Sequence, residues 1–278
     1  MKRSSEQFFK SSPLVMVAAA LLLLMIAGAV LGPVFSPWDG EAMDFEALEA
    51  PPSLSHWFGT DLVGRDLFVR TMQGARVSFL VAFIAVTVSL ASGSPWGAAA
   101  GLAGGRVDQL MMRIVDGLYC LPGILIVILL VVLFGRNPYL LFAALGAISW
   151  LTIARIVRGQ TLRLRNAPFI EAARAMGLST PYILRKHVIP NVIGPVIVYT
   201  TLAIPAVILA ESFISFLGLG IAEPQTSWGV LVSDGTAAME SSPWLLMFPA
   251  LCLGITVWSF NTLGDRLRDH LDRREHIN

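Results

Sequence analysis

The sequence predicts an all-α integral membrane protein with six transmembrane helices. Hydrophobic residues make up 55% of the chain and charged residues 14%, whereas an average soluble domain is roughly 25% charged. Six apolar runs reach or come close to the length of about 20 residues that a helix needs to cross the hydrocarbon core. They are residues 14–35, 77–104, 117–135, 137–154, 191–222 and 241–264.

The first run is expected to be an uncleaved signal anchor. Ala27, Gly28 and Ala29 have the small side chains of a signal-peptidase site. The run nevertheless stays apolar as far as Phe35, which is long for a cleaved signal and suits a membrane span. The polar segment that follows, residues 36–76, contains seven acidic residues and is expected to form a small subdomain.

Glycines and prolines predict how the later runs pack and bend. A stripe with a glycine at every fourth residue predicts close helix packing, at Gly93, Gly97, Gly101 and Gly105. Prolines inside or beside the runs predict kinks, at Pro95, Pro122, Pro195 and Pro205.

The few charges in or beside the runs predict specific contacts. Asp116 lies at the start of the third span, and Arg155 and Arg158 follow the fourth run. Ion pairs between these side chains near the cytoplasmic face are one interpretation, and anchoring of each at the membrane boundary is the other. Glu211 is the only charged residue inside a run. Because a charge facing lipid is costly, Glu211 is expected to face the interior of the helix bundle.

The distribution of Lys and Arg predicts the orientation. With the N-terminus in the cytoplasm, sixteen of the twenty lie in cytoplasmic segments, and the exceptions are Arg65, Arg70, Arg76 and Arg136. The predicted division has a cytoplasmic N-terminus and first helix at 1–35 and an extracytoplasmic subdomain at 36–76. A five-helix core at 77–264, with a cytoplasmic loop at 159–190, precedes a cytoplasmic tail at 265–278.

The loop at 159–190 has the signals of a helical hairpin. Asn166 as a cap, Pro168 in the first turn and Glu171 near the positive helix end predict the start of a first helix. Gly177 predicts the left-handed residue that ends it. A second helix is expected to begin with Thr180 as its cap and to end at Pro190, with its basic residues near that end, Arg185, Lys186 and His187.

This hairpin resembles the EAA loop of ABC importer permeases. The residues that match are Glu171, Ala172, Ala173, Gly177 and Pro190. The resemblance implies a coupling helix that sits in a groove of a cytoplasmic ATPase. His187 departs from the general pattern, but the HVIPN ending resembles the peptide-permease branch. An ordinary solvated loop is the alternative interpretation.

Residues 56–79 resemble a second signature, that of the oligopeptide, dipeptide and nickel permease group. The matching residues are Gly59, Thr60, Asp61, Gly64, Arg65, Asp66, Gly74, Ala75, Arg76 and Ser78, while Val69 stands where Ser is common. A local charge network among Asp61, Arg65 and Asp66 is expected here. Over nearly the whole chain, the sequence is similar to the C-type permease subunits of oligopeptide importers.

The resemblance implies a type I ABC importer permease fold in a bacterial inner membrane. The implied partners are a homologous permease subunit, two cytoplasmic ATP-binding subunits and an extracytoplasmic peptide-binding protein, with no nucleic acid. The chain has no G-x-x-x-x-G-K-[ST] loop. ATP and Mg²⁺ are therefore expected on the partner ATPases, and no enzymatic activity, cofactor or metal is expected on this chain.

Several functional questions stay open from the sequence. Oligopeptide cargo is favoured over dipeptides, glutathione or nickel, and no residue is assigned to the substrate path. An ion-gradient transporter is an alternative, although neither membrane acids near the midplane nor inverted repeats are evident. An intramembrane hydrolase needs a buried base, whereas all four histidines lie in loops or tails.

Overall fold

The structure is a computed structural model that describes residues 13–135 and 137–275. These ranges do not include Lys2, Arg3 and Lys10, which belong to the sixteen basic residues predicted to be cytoplasmic, or Arg136, which is predicted to be extracytoplasmic. Over the described ranges the regular secondary structure is helical, apart from an isolated bridge between Thr60 and Asp66. The helices are α1 (Pro13–Phe35), α2 (Leu67–Ala103), α3 (Gly105–Tyr119), α4 (Gly123–Phe134), α5 (Pro138–Leu164), α6 (Pro168–Ala175), α7 (Thr180–Ile183), α8 (Ile189–Phe216), α9 (Trp228–Ala237) and α10 (Trp244–Glu275), with a π-helical turn (Leu184–Val188) between α7 and α8.

Five predicted spans are confirmed as helices long and apolar enough to cross a membrane. The third, predicted at 117–135, is wrong as a single helix. In its place α3 and α4 meet at a bend of 71° and together could count as a sixth span. Pro122 lies at this break, where it precedes the first residue of α4.

The second span begins well before its apolar run, because Asp66 caps it. The Asp66 carboxylate accepts a hydrogen bond of 2.9 Å from the backbone N–H of Val69, which starts the helix at Leu67 rather than at residue 77. The non-helical segment after α1 therefore ends at Asp66. The predicted subdomain boundary at residue 76 falls inside a helix.

The glycine stripe packs α2 against α5, as predicted. A Cβ on Gly97 would lie 2.1 Å from the Ala154 carbonyl oxygen, so only glycine allows this approach. Gly93 and Gly101 face the same helix. Gly105 was wrongly included in the stripe, because it lies beyond the end of α2 with open space around it.

Glu211 lies in the core, which confirms its predicted orientation. Its side chain has 0% exposure, and its carboxylate accepts hydrogen bonds from Ser215 at 2.7 Å and from Ser78 at 3.3 Å. Nearby, the fully buried Trp228 donates its indole N–H to the Thr71 carbonyl at 3.1 Å. These contacts fasten α8 and α9 to α2.

The predicted charge network of residues 56–79 is confirmed in part. Asp61 accepts from Arg65 Nε at 2.7 Å, but Asp66 pairs with His56 at 2.9 Å instead. Arg65 also reaches Glu223, at 3.0 Å, in the segment between α8 and α9. Burial lowers the pKa of Arg65, but the hydrogen bonds and charges of these two carboxylates outweigh burial and raise the pKa.

Candidate functional site

The candidate site is the hairpin between α5 and α8. Its first helix, α6, begins at Pro168 as predicted, since proline at the first position forfeits no helical hydrogen bond. The predicted cap at Asn166 is wrong. Ala167 occupies the capping position, and no side chain caps this helix.

Gly177 has the left-handed conformation predicted for it, with φ of +75°. Two backbone bonds close the helix end, from Gly177 N–H to the Arg174 carbonyl at 2.9 Å and from Leu178 N–H to the Ala173 carbonyl at 3.1 Å. A Cβ at Gly177 would meet open space. The requirement for glycine is therefore conformational, and the surface around the turn is unobstructed.

The second helix differs from the prediction at both ends. Ser179, not Thr180, occupies the capping position, and its side chain forms no capping bond. The helix does not end at Pro190. The π-helical turn carries it into α8, with the N–H of Ile189 bonded to the Leu184 carbonyl, so Pro190 lies in the first turn of α8.

The hairpin has a buried face and an exposed face. The buried face packs against the ends of α2, α5 and α8 through four apolar side chains, Ile170, Ala173, Ile183 and Val188. Their partners include Leu102, Val157 and Val192. The hairpin is therefore seated on the helices that surround it.

The five predicted site residues do not share one surface. Glu171 and Ala172 are exposed side by side on α6, close to the exposed turn at Gly177. Ala173 points into the core with 1% exposure. Pro190 is exposed but belongs to α8, beyond the π-helical turn.

The exposed face combines small and large side chains with charges of both signs. Met176 is 71% exposed at the turn, and Tyr182 is also exposed. Glu171 lies in the first turn of α6, and its basic neighbour Arg174 donates to the Arg165 carbonyl at 3.4 Å. Within the described part of the chain, no group of three or more His, Cys, Asp or Glu residues is arranged to hold a metal ion. The face therefore presents apolar and charged side chains to its surroundings.

One functional candidate was not predicted from the sequence: Asp108, which pairs with Arg158 just before the hairpin. Of the ion pairs predicted between Asp116 and the two arginines, the pair with Arg155 is confirmed, at 2.8 Å, whereas Arg158 bonds to Asp108 instead. The signal for Asp108 was its helical spacing from the buried residues Met112 and Val115, at i, i+4 and i+7.

Comparison with family models identifies two matching regions. Residues 93–277 match the model of the binding-protein-dependent transport system inner membrane component. Residues 7–52 match the N-terminal transmembrane domain of oligopeptide transport permease C.

Curated relatives match almost the whole chain. The oligopeptide transport system permease protein OppC of Haemophilus influenzae is 48% identical over 274 residues, which are 98% of this chain and 88% of that protein. OppC of Escherichia coli K12 is 47% identical over 93% of this chain and 87% of its own length. The dipeptide transport system permease protein DppC of Bacillus subtilis is 45% identical over 95% and 82%.

The fold also matches a solved structure. A chain from inward-facing conformations of the MetNI methionine ABC transporter aligns with a TM-score of 0.59 at 18% identity, over 73% of this chain and 96% of that chain. The candidate membrane spans indicate a multi-pass membrane protein, and the family models and the relatives indicate the same transport family. This chain is a multi-pass member of the family of inner membrane components of binding-protein-dependent transport systems.

Proposed function

We propose that this chain is the permease subunit of an ATP-driven peptide importer and forms half of its translocation path. The observation that carries the proposal is the identity of 43–48% over most of the chain to permeases named for oligopeptide transport. Oligopeptides are the favoured cargo, although a dipeptide permease and a glutathione permease are also among the relatives.

The exposed face of the hairpin is the proposed docking surface for a cytoplasmic ATPase. Glu171 and Ala172 lie on this face, and the open turn at Gly177 lets another backbone approach closely. The buried face anchors the hairpin through Ile170 and Ala173. A force applied to the exposed face is therefore transmitted to the packed helices.

The connections of the hairpin support a mechanical role. Three residues join α5 to α6, and the π-helical turn joins α7 to α8 without a break. ATP-driven movement of the docked ATPases would displace α5 and α8 together. In this mechanism ATP and Mg²⁺ bind to partner subunits, and this chain binds cargo without catalysing a reaction.

The remaining assignments follow from the same proposal. A homologous permease supplies the second half of the path, and a peptide-binding protein delivers cargo to the extracytoplasmic side. The cytoplasmic side carries the N- and C-termini and the loop at 159–190, which contains the hairpin. The distribution of Lys and Arg supports this orientation. The segment before α2 then lies outside.

Affinity purification from the native membrane tests the proposal. The tagged chain is purified in mild detergent, and mass spectrometry identifies what is retained. We expect a homologous permease and one or two Walker-type ATPases, with peptide carried by any retained binding protein. Recovery of the chain alone, active in liposomes without ATP, would instead support an ion-gradient transporter.

A further inference from the structure

The start of the chain combines the features of a secretory signal with those of a membrane span. A stretch with three basic residues, at 1–10, precedes an apolar stretch at 14–26, whose length is in the usual signal range of about 7–15 residues. The small side chains of Ala27 and Ala29 follow, in the A-x-A arrangement of a cleavage site. Cleavage at this site would break the bond between Ala29 and Val30 and would remove most of α1.

The two alanines of this motif differ in their exposure. Ala27 is exposed, whereas Ala29 is only 2% exposed and belongs to a buried cluster that includes Met72 of α2. Gly28 and Gly32 lie close to the same methionine, because a Cβ on either glycine would be 2.9 Å from one of its side-chain atoms. A protease that recognises both small side chains therefore cannot reach the second one while α1 lies against α2.

The bond that would be cleaved is held by Arg76 of α2. Arg76 Nε donates a hydrogen bond to the Ala29 carbonyl, and its Nη2 donates to the Val30 carbonyl at 2.7 Å. The first of these carbonyls belongs to the scissile peptide bond itself. The guanidinium group therefore occupies the oxygen atom that a protease must polarise in order to cleave the chain.

Pro33 explains why the Ala29 carbonyl needs a partner from another helix. In a continuous α-helix this oxygen would accept a hydrogen bond from the N–H of the residue four positions later. That residue is Pro33, which lies inside α1 and has no N–H. A carbonyl without a partner inside a helix bundle costs free energy, and Arg76 supplies the missing donor.

We propose that the contact with α2 masks a signal-peptidase site in α1, so that the folded chain keeps its first helix. This inference goes beyond the proposed function and uses only its orientation, which brings the Ala29 end of α1 to the extracytoplasmic side, where secretory signals are removed. Proteases cleave segments that are exposed or that open locally. Arg76 and Met72 keep the site closed, and loss of Arg76 increases the population in which the site is open.

Proteolysis of the purified full-length chain tests this proposal. The wild type and Arg76→Ala are incubated in mild detergent with purified bacterial signal peptidase, and intact-mass spectrometry follows the appearance of the fragment 30–278. We expect the wild type to stay intact and Arg76→Ala to be cleaved at least about tenfold faster, because two hydrogen bonds from a charged group are lost. Arg65→Ala is the matched control, since Arg65 pairs with Asp61 and Glu223 outside α1, and it should stay intact.

Two double variants identify the bond that is cleaved and the reason for its protection. Ala27→Phe in the Arg76→Ala chain removes the other small residue of the motif at an exposed position, and it should abolish cleavage. Pro33→Ala in the same chain restores an N–H that can donate to the Ala29 carbonyl within α1. This second change should make cleavage slower than in Arg76→Ala alone.

The outcomes that contradict the proposal are specific. Cleavage of the wild type at Ala29, equal cleavage of Arg65→Ala and Arg76→Ala, or resistance of Arg76→Ala would each overturn masking by Arg76. A failure of Pro33→Ala to slow cleavage would overturn the role of the Ala29 carbonyl.

A second variant keeps the test decisive if Arg76→Ala does not unfold cooperatively on heating. Arg76→Lys then replaces it, because lysine keeps the charge but lacks the planar fork that reaches both carbonyls, and the same outcomes apply. The assay needs neither ATPases nor a second permease. A failure here therefore leaves the importer proposal intact, and recovery of the partner subunits tests that proposal separately.

Discussion

Arg158 donates two hydrogen bonds to Asp108 across 50 residues of sequence. Its Nε and Nη2 lie 2.5 Å and 2.7 Å from the two carboxylate oxygens. The Asp108 side chain is only 8% exposed. Because Asp108 belongs to α3 and Arg158 to the last turns of α5, this paired contact fixes α3 beside the start of the hairpin.

Asp108→Asn is expected to lower the stability of the purified protein. It removes the charge that two donors of Arg158 share, and hydrogen bonds to charged groups contribute about 1.5–3 kcal/mol each when buried. Because the arginine is partly exposed, we expect a loss of about 1–3 kcal/mol. Thermal unfolding in detergent measures it. The double variant that exchanges the two residues, Asp108→Arg with Arg158→Asp, should lose less stability than the sum of the losses of its two single variants. Losses that simply add would contradict a direct pair.

Gly177→Asp is expected to abolish transport without preventing membrane insertion. Aspartate tolerates the left-handed conformation better than most residues, but it places a charged side chain on the proposed docking surface. ATPase retention and peptide uptake are the measurements. Full uptake with normal ATPase recovery would refute the docking role of the turn.

Gly218→Asp is the matched control for Gly177. Gly218 has φ of +74°, is also open around the Cβ position, and ends α8 with the same pair of backbone bonds. The conformational cost is therefore similar at both sites. If Gly218→Asp lowered ATPase retention as much as Gly177→Asp, the effect would come from strain and not from the docking surface.

Glu211→Ala is expected to destabilise the helix bundle. It empties a fully buried position and removes the acceptor of Ser78 and Ser215, for a combined loss of about 2–5 kcal/mol. The midpoint of thermal unfolding is the measurement. Glu240→Ala, at an exposed position, should have little effect. Equal midpoints for the two variants would mean that Glu211 has no structural role.

Gly97→Ala is expected to separate α2 from α5. The new Cβ would lie 2.1 Å from the Ala154 carbonyl oxygen, so the backbones must move apart at a cost of about 1–3 kcal/mol. Gly254→Ala tests the same substitution in α10, where no atom beyond the adjacent residues and the nearby backbone of the same helix lies within 4 Å of the new Cβ. That variant should be neutral or more stable, by up to about 1 kcal/mol, from helix propensity. Similar stabilities for the two variants would exclude close packing at Gly97.

The hydrogen bonds that Glu49 accepts from two serines predict that the stability of the protein depends on pH. Hydrogen bonds from Ser242 and then Ser241 lower the pKa of Glu49 below its ordinary value of 4.5. A lowered pKa stabilises the folded state above pH 4.5, and this contribution disappears as the pH falls through the folded-state pKa. The difference in unfolding midpoint between the wild type and Glu49→Ala should therefore shrink in acid. An equal difference at neutral and at acidic pH would contradict a stabilising role for these hydrogen bonds.

Local signals predicted where the first hairpin helix starts and where it turns, whereas contacts between distant residues were beyond them. Pro168 and Gly177 mark a helix start and end through their own backbone preferences, so both positions were correct. Asp108 and Arg158 meet only because α3 folds back along α5. Nothing in the local sequence specifies that partner.

Two errors arose where a local rule was applied without the surrounding geometry. Pro190 was expected to end a helix, but the π-helical turn before it rearranges the bonds that a proline would disrupt. Counting apolar residues placed one span at 117–135, although Pro122 and the neighbouring residues bend the chain by 71°. A hydropathy pattern reports the length and composition of an apolar run, and it contains no information about where the helix bends.

The π-helical turn also fixes the rotational register of the 37-residue helical segment Thr180–Phe216. A π turn corresponds to a single residue inserted into an α-helix, and one residue rotates all later side chains by about 100°. Deleting a residue from Leu184–Val188 would thus rotate Glu211 relative to Ile183, although both are buried in the present structure. One of them would then face lipid or water. The extra residue is what permits a single helical segment to bury its hairpin end and its membrane end on different sets of neighbours.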